Sequence, residues 1–120
     1  MSEDDTTAIV RAYYDAWTTG DFDRAAALLG AGLQVEAPVN EYPTAGSFAA
    51  ALKNFGSQAT RLELLAAMTD GDEGILLYDM DVAGLGTLRV AEHFTVRDGK
   101  ITKIRQVHDT AALRAAGFVE

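Results

Sequence analysis

Residues 92–109 read EHFTVRDGKITKIRQVHD and carry the clearest structural signal in the chain. Two runs rich in β-branched and aromatic residues flank Asp98-Gly99, a dipeptide that favours a tight hairpin turn. The stretch therefore predicts two antiparallel strands, over 87–97 and 100–108. A three-residue loop, Arg97 to Gly99, places Glu92 opposite Ile104, whereas a two-residue loop shifts this pairing by one residue.

The alternation of side chains indicates which face of this hairpin is buried. On the first strand the even positions are apolar apart from Glu92 and the odd positions are mostly polar: Leu88, Val90, Phe94 and Val96 against Arg89, His93, Thr95 and Arg97. Because successive side chains of a strand point to opposite faces, the even face is predicted to face the core and His93 to face outward. In the three-residue register Gln106 and His108 also point inward, opposite Val90 and Leu88.

The rest of the chain separates into helices followed by strands. Strand-like runs cover 61–69 and 74–82, and apolar alternation in the second run turns Tyr78 inward and Asp79 outward. Before residue 60, helical spacing predicts helices over 6–19, from Asp21 to Leu29 and from Ser47 to Gln58, with a short strand over 33–37. A closing helix is predicted over 110–116. Helices placed ahead of antiparallel strands indicate an α+β fold.

Composition limits the classes of function. The 120 residues, 48% of them hydrophobic, fit a single domain over 1–120. The absence of cysteine excludes disulfides and cysteine-bound metals, and two distant histidines give no recognisable metal site, so neither a metal nor a cofactor is expected. A net charge of −8 disfavours nucleic acid and anionic membranes as partners, and the acidic first residues favour a cytoplasmic location.

Three segments resemble the nuclear transport factor 2-like superfamily: GDFDRAAALL (20–29), LQVEAP (33–38) and the hairpin of residues 92–109. That superfamily includes ketosteroid isomerases, SnoaL-like polyketide cyclases and limonene epoxide hydrolases. The resemblance implies a cone-shaped, curved antiparallel sheet wrapped on three N-terminal helices. This cystatin-like α+β roll encloses one apolar pocket. The scaffold hosts many activities, so the resemblance is specific for fold and weak for reaction.

The resemblance to ketosteroid isomerase assigns roles to single residues. That enzyme holds a substrate oxyanion with a helix tyrosine and a protonated strand acid, which match Tyr13 and Glu92. Its general base lies just before the proline, where this chain has Ala37. The cyclases and epoxide hydrolases have a catalytic aspartate at the position of Gln106, and glutamine cannot ionise. None of these mechanisms carries over intact. An ungapped comparison with the isomerase also turns Asp79 and Asp81 inward, which keeps Asp79 open as a replacement base.

Glu92 and His108 are the candidates that the residue pattern itself supports. A carboxyl on an apolar face should be protonated or partnered, either as an acid for a ligand or as a structural group bonded to Tyr13 or water. His108 is a candidate base, unless it is only capped by Asp109. The remaining predicted contacts with the ligand share an expected inward position: Trp17, Val35, Ala37, Phe55, Phe94, Ile104, Gln106 and, conditionally, Asp79.

Two functions follow from these residues. The first is a cofactor-free isomerase, cyclase or lyase acting on an apolar compound that bears a carbonyl or hydroxyl group, with Tyr13 and Glu92 as hydrogen-bond donors. The alternative is a non-catalytic ligand-binding or dimerisation module, which Ala37 and Gln106 favour. Interleaved charged and apolar residues on the outer sheet face (Arg89, His93, Arg105 and Val107) predict a homodimer through that face, the alternative being a solvated surface.

Overall fold

The computed structural model describes residues 3–38 and 40–115. Helices and strands follow the predicted order: α1 Glu3–Thr18, α2 Phe22–Ala27, β1 Leu29–Glu36, α3 Ala45–Gly56, β2 Ala59–Asp70, β3 Glu73–Val82, β4 Gly86–Arg97, β5 Lys100–Val107 and α4 Ala111–Ala115. The strands form one curved, unclosed sheet in the order β1-β5-β4-β3-β2. The α+β prediction is confirmed. Residue 116, the last of the predicted closing helix, lies outside the described residues.

Capping hydrogen bonds explain where α2 and α3 begin, and the end of α2 differs from the prediction. Asp21 accepts a hydrogen bond from the Arg24 backbone and begins α2 as expected. Thr44 and Ser47 exchange side-chain and backbone hydrogen bonds in a capping box, so α3 begins two residues before the predicted Ser47. Leu29, predicted in the second helix, is instead the first residue of β1, which pairs in parallel with β5 opposite Ile101.

The hairpin of β4 and β5 corrects the predicted register. Asp98 and Gly99 both have positive φ, 52° and 76°, as a two-residue type I′ turn requires, and Arg97 pairs with Lys100. The three-residue loop is therefore wrong. A bulge at Thr102 then adds one residue to β5, so that Glu92 lies opposite Gln106 and not opposite Ile104. The turn and the bulge together restore the predicted inward face of β5.

The core lies between the inner face of the sheet and α1. The even face of β4 is buried as predicted, and so is the Leu76–Val82 alternation of β3. Phe94 is fully buried and meets Tyr13 edge-on, with ring centroids 5.7 Å apart. Farther along α1, Trp17 and Tyr14 pack on Tyr78 with centroid distances of 5.7 and 5.3 Å. Aromatic rings of α1 therefore pack directly on the inner face of β3 and β4.

A candidate ligand cavity with a buried carboxyl

A cavity of about 620 Å³ lies between α3 and the sheet. One wall comes from α3 and the segment before it, and the other comes from inward side chains of β3, β4 and β5. Hydrophobic and aromatic residues of the lining include Trp17, Tyr42, Phe48, Phe55, Tyr78, Met80, Leu88, Val90 and Leu113. The polar residues among the described lining are Asn40, Glu41, Ser47, Asn54, Glu92, Gln106 and His108. The volume of the cavity lies within the range of small-molecule sites.

Glu92 is the chemically distinctive group of this cavity. Its side chain is only 2% exposed. The Tyr78 hydroxyl donates to Oε1 at 2.6 Å, and Nε2 of Gln106 donates to Oε2 at 3.1 Å. Burial raises the pKa of Glu92, although the hydrogen bonds from Tyr78 and Gln106 oppose the shift. Burial and the neighbouring Glu92 also raise the pKa of Tyr78 well above its usual value, so Tyr78 remains a donor.

The partner of Glu92 differs from the predicted one. Tyr13 is completely buried, its hydroxyl has no hydrogen-bond partner among the described residues, and it does not line the cavity. Tyr78 takes its place because it lies opposite Val90 on β3, diagonally beside Glu92, within reach of a long aromatic side chain. Alternation on β3 predicted that Tyr78 points inward, but the register that brings it beside Glu92 depends on the turn over 83–85.

His108 contributes a basic group to the same cavity. Its Nδ1 lies 2.9 Å from the backbone oxygen of Asp109. A carbonyl oxygen can only accept, so Nδ1 is the donor in this contact, and in the neutral tautomer that can make it the lone pair lies on Nε2. His108 is two residues beyond Gln106, the cross-strand partner of Glu92. His108 is the first residue after β5, and both it and Glu92 line the cavity, so one ligand in the cavity can contact both groups.

The cavity gathers only part of the predicted site. Trp17, Phe55, Glu92, Gln106 and His108 line it, whereas Tyr13, Val35, Ala37, Phe94 and Ile104 are not among its lining residues in the described chain. Phe94 and Ile104 do face the core, but they pair with each other farther along the hairpin, at the filled end under Tyr13. On β4, therefore, only the inward residues up to Glu92 contact the cavity, namely Leu88, Val90 and Glu92 itself.

Asp79 belongs to the outer face of the sheet. Arg89 donates to both of its carboxylate oxygens, at 2.7 and 2.9 Å. Its hydrogen bond with Arg89 is the main cause of the lowered pKa of Asp79. The possibility that Asp79 serves as a replacement base is therefore wrong, since its charge is engaged on the opposite face from the cavity. No cluster of three or more His, Asp or Glu suited to a metal ion occurs within residues 3–38 and 40–115.

The raised pKa of Glu92 predicts a pH-dependent stability. The folded chain holds this proton more tightly than the unfolded chain, so Glu92 lowers the free energy of unfolding as the pH rises from about 4.5 through the folded pKa. In Glu92→Gln the amide oxygen still accepts from Tyr78, and Gln106 can turn its own amide to accept. We expect the stability of this variant relative to wild type to increase with pH over that window, measured by urea unfolding. A constant difference across the window would contradict the raised pKa.

Comparisons with known proteins show which family this chain is similar to. The model of the SnoaL-like domain matches residues 10–104. A protein from Kribbella flavida is 31% identical, with a TM-score of 0.86 over 92% of this chain and 91% of its own. No curated protein matches the chain.

More distant structures share the fold. A second Kribbella flavida protein, provisionally assigned as a ketosteroid isomerase, is 18% identical, with a TM-score of 0.80 over 91% of this chain and 81% of its own. An LEH-like epoxide hydrolase from Mycobacterium tuberculosis is 21% identical, with a TM-score of 0.76 over 94% and 89%. At these identities the likeness concerns the fold alone.

Proposed function

Since the chain belongs to the SnoaL-like domain family, within the nuclear transport factor 2-like superfamily, we propose that it is a cofactor-free enzyme that enolises an apolar carbonyl compound. The observation that carries the proposal is a carboxyl, buried and with a raised pKa, at the wall of a 620 Å³ cavity. Because its pKa is raised, Glu92 holds its proton to a higher pH than an exposed carboxyl does, and a protonated carboxyl can donate to a ligand oxygen. The reaction class is isomerisation, cyclisation or elimination by proton transfer.

The proposed reaction assigns one role to each polar group. Nε2 of His108 takes the proton from the carbon beside the carbonyl, and Glu92 donates its proton to the carbonyl oxygen, which gives the enol. Return of a proton to the same or another carbon completes the exchange, and no electrons enter or leave. The hydrogen bonds from Tyr78 and Gln106 stabilise the Glu92 carboxylate that forms. Tyr78 thus replaces Tyr13 in the predicted pair.

Deuterium exchange tests this chemistry without knowledge of the natural substrate. The probe is 2-decalone, an apolar bicyclic ketone, in D₂O, with exchange of the hydrogens beside its carbonyl followed by NMR. The proposal expects exchange well above the rate in buffer. Binding of the ketone without faster exchange would support the alternative, a non-catalytic ligand-binding module, which the non-ionisable Gln106 favours. Absence of binding would contradict both functions for this class of compound.

We also propose that the chain forms a homodimer through the outer face of the sheet. Met68, Ile75 and Val107 are 71%, 50% and 68% exposed there, and Met68 lies directly opposite Ile75 on the neighbouring strand. The pairs Asp79–Arg89 and Glu73–His93 flank these residues, so the surface mixes apolar contacts with charges of both signs. Such a surface suits a self-complementary two-fold interface.

Sedimentation analysis tests the dimer. We expect the wild-type chain to sediment as a dimer and Ile75→Glu to sediment as a monomer, because the substitution buries an unpaired charge in the interface. Ala31→Glu adds the same charge at an exposed position of β1 and should leave the dimer intact. A monomeric wild type would refute the interface.

Location, domain number, nucleic-acid binding and cofactor use remain predictions. No helix of the described residues is long and apolar enough to cross a membrane. A cytoplasmic location, a single domain over 1–120, and the absence of nucleic-acid partners and cofactors are supported by composition alone.

A further inference from the structure

The charges around the cavity are distributed unevenly. All ten lysine and arginine residues of the chain lie in its described part, and none of them lines the cavity. Among the described lining residues the carboxylate charge is that of Glu41, because Glu92 acts as a protonated, neutral acid in the proposed reaction. An anionic ligand would lose its hydration there without meeting a lysine or an arginine, which is costly. The net charge of −8 would add long-range repulsion.

One part of the wall offers the features that bind organic cations. Glu41 is exposed, so it lies where the cavity meets solvent. Tyr42 follows it directly, and the Tyr42 and Phe48 rings meet edge-on at a centroid distance of 5.4 Å. The faces of aromatic rings attract ammonium groups, and a carboxylate in the same cavity lining adds Coulombic attraction. Phe48 is 3% exposed and the start of α3 fixes its backbone, so the pair is preorganised.

We propose that the natural ligand carries a basic nitrogen, protonated at neutral pH, which binds beside Glu41, Tyr42 and Phe48. This inference rests on the proposed function only in requiring that the cavity binds a small molecule, and it names the class of that molecule as an amine. Glu92 lies on β4 and His108 directly after β5, both on the sheet side of the cavity. The proposed ammonium site lies on the other side, formed by α3 and the segment before it. A compound with both groups can therefore bind Glu92 and His108 through its carbonyl group and the α3 side of the cavity through its ammonium group.

Three probes with one carbon skeleton test the inference by calorimetric titration at neutral pH: 2-decalone, decahydronaphthalen-2-amine and decahydronaphthalene-2-carboxylate. We expect the amine to bind about tenfold more tightly than the ketone, and the carboxylate to bind more weakly than either. Equal affinities for amine and ketone, or a carboxylate that binds as tightly as the amine, would overturn the inference. If the ketone binds and the amine has no advantage, only the inference fails; if no probe binds, the proposed function fails with it.

Matched variants locate the ammonium group. Glu41→Gln and Tyr42→Leu should each weaken binding of the amine several-fold more than binding of the ketone, because each removes one source of attraction for a cation. Glu63→Gln makes the same change as Glu41→Gln at an exposed position where Glu63 pairs with Arg61, away from the cavity lining. An equal loss of amine affinity in Glu63→Gln would mean that the effect comes from net charge alone, which would refute the site.

Discussion

Replacement of Glu92 by Gln is expected to lower the rate of deuterium exchange into 2-decalone about 10²–10⁴-fold, the usual contribution of a positioned proton-transfer group. The amide keeps the size of the side chain and the contact with Tyr78, but it has no acidic proton to give to the ketone oxygen. His108→Gln should cause a loss of similar size, because it removes the lone pair on Nε2. Binding of the ketone should stay within about tenfold in both variants. NMR measures the exchange rate and calorimetry the affinity.

Two substitutions of the same kind outside the cavity serve as controls. Glu63→Gln and His93→Gln change residues that pair with Arg61 and Glu73 on other surfaces of the sheet. Both should retain wild-type exchange. If Glu92→Gln and His108→Gln also retain it while they fold and bind the ketone, neither group moves the proton. Glu92 is then a structural carboxyl that Tyr78 and Gln106 satisfy, and the ligand-binding module becomes the better description.

The fold could be predicted because local signals agree with one another. Alternation over 87–97 fixed the buried face of β4, and Asp98-Gly99 fixed the hairpin. The exact register could not be predicted, because it depends on the bulge at Thr102, for which the sequence has no distinct signal. The turn is one residue shorter than predicted, and the bulge adds one residue to β5, so the two shifts cancel in their effect on side-chain direction. Gln106 and His108 therefore point inward as predicted.

The candidate site was less accessible to sequence reasoning than the fold. Alternation separates an inner face from an outer face, but it does not say which inner positions meet a cavity and which meet a filled core. Glu92 stood out because a carboxyl on an apolar strand face is costly, whereas nothing in the sequence distinguished Phe94, which fills the core, from Leu88, which lines the cavity. The Tyr78 contact required the β3–β4 register, and the helix tyrosine suggested by resemblance pointed to Tyr13.

Phe94→Ala is expected to lower the free energy of unfolding by about 3–5 kcal/mol, because Phe94 is fully buried and the substitution leaves a void under Tyr13. Urea unfolding measures this loss. Phe94→Leu keeps most of the volume and should cost much less, and Ile75→Ala on the exposed outer face should change the monomer's stability little. The same Leu variant decides whether Phe94 contacts the ligand. Since Phe94 lies outside the cavity lining, Phe94→Leu should bind 2-decalone as tightly as wild type, and a large loss of affinity in a stably folded variant would restore it to the site.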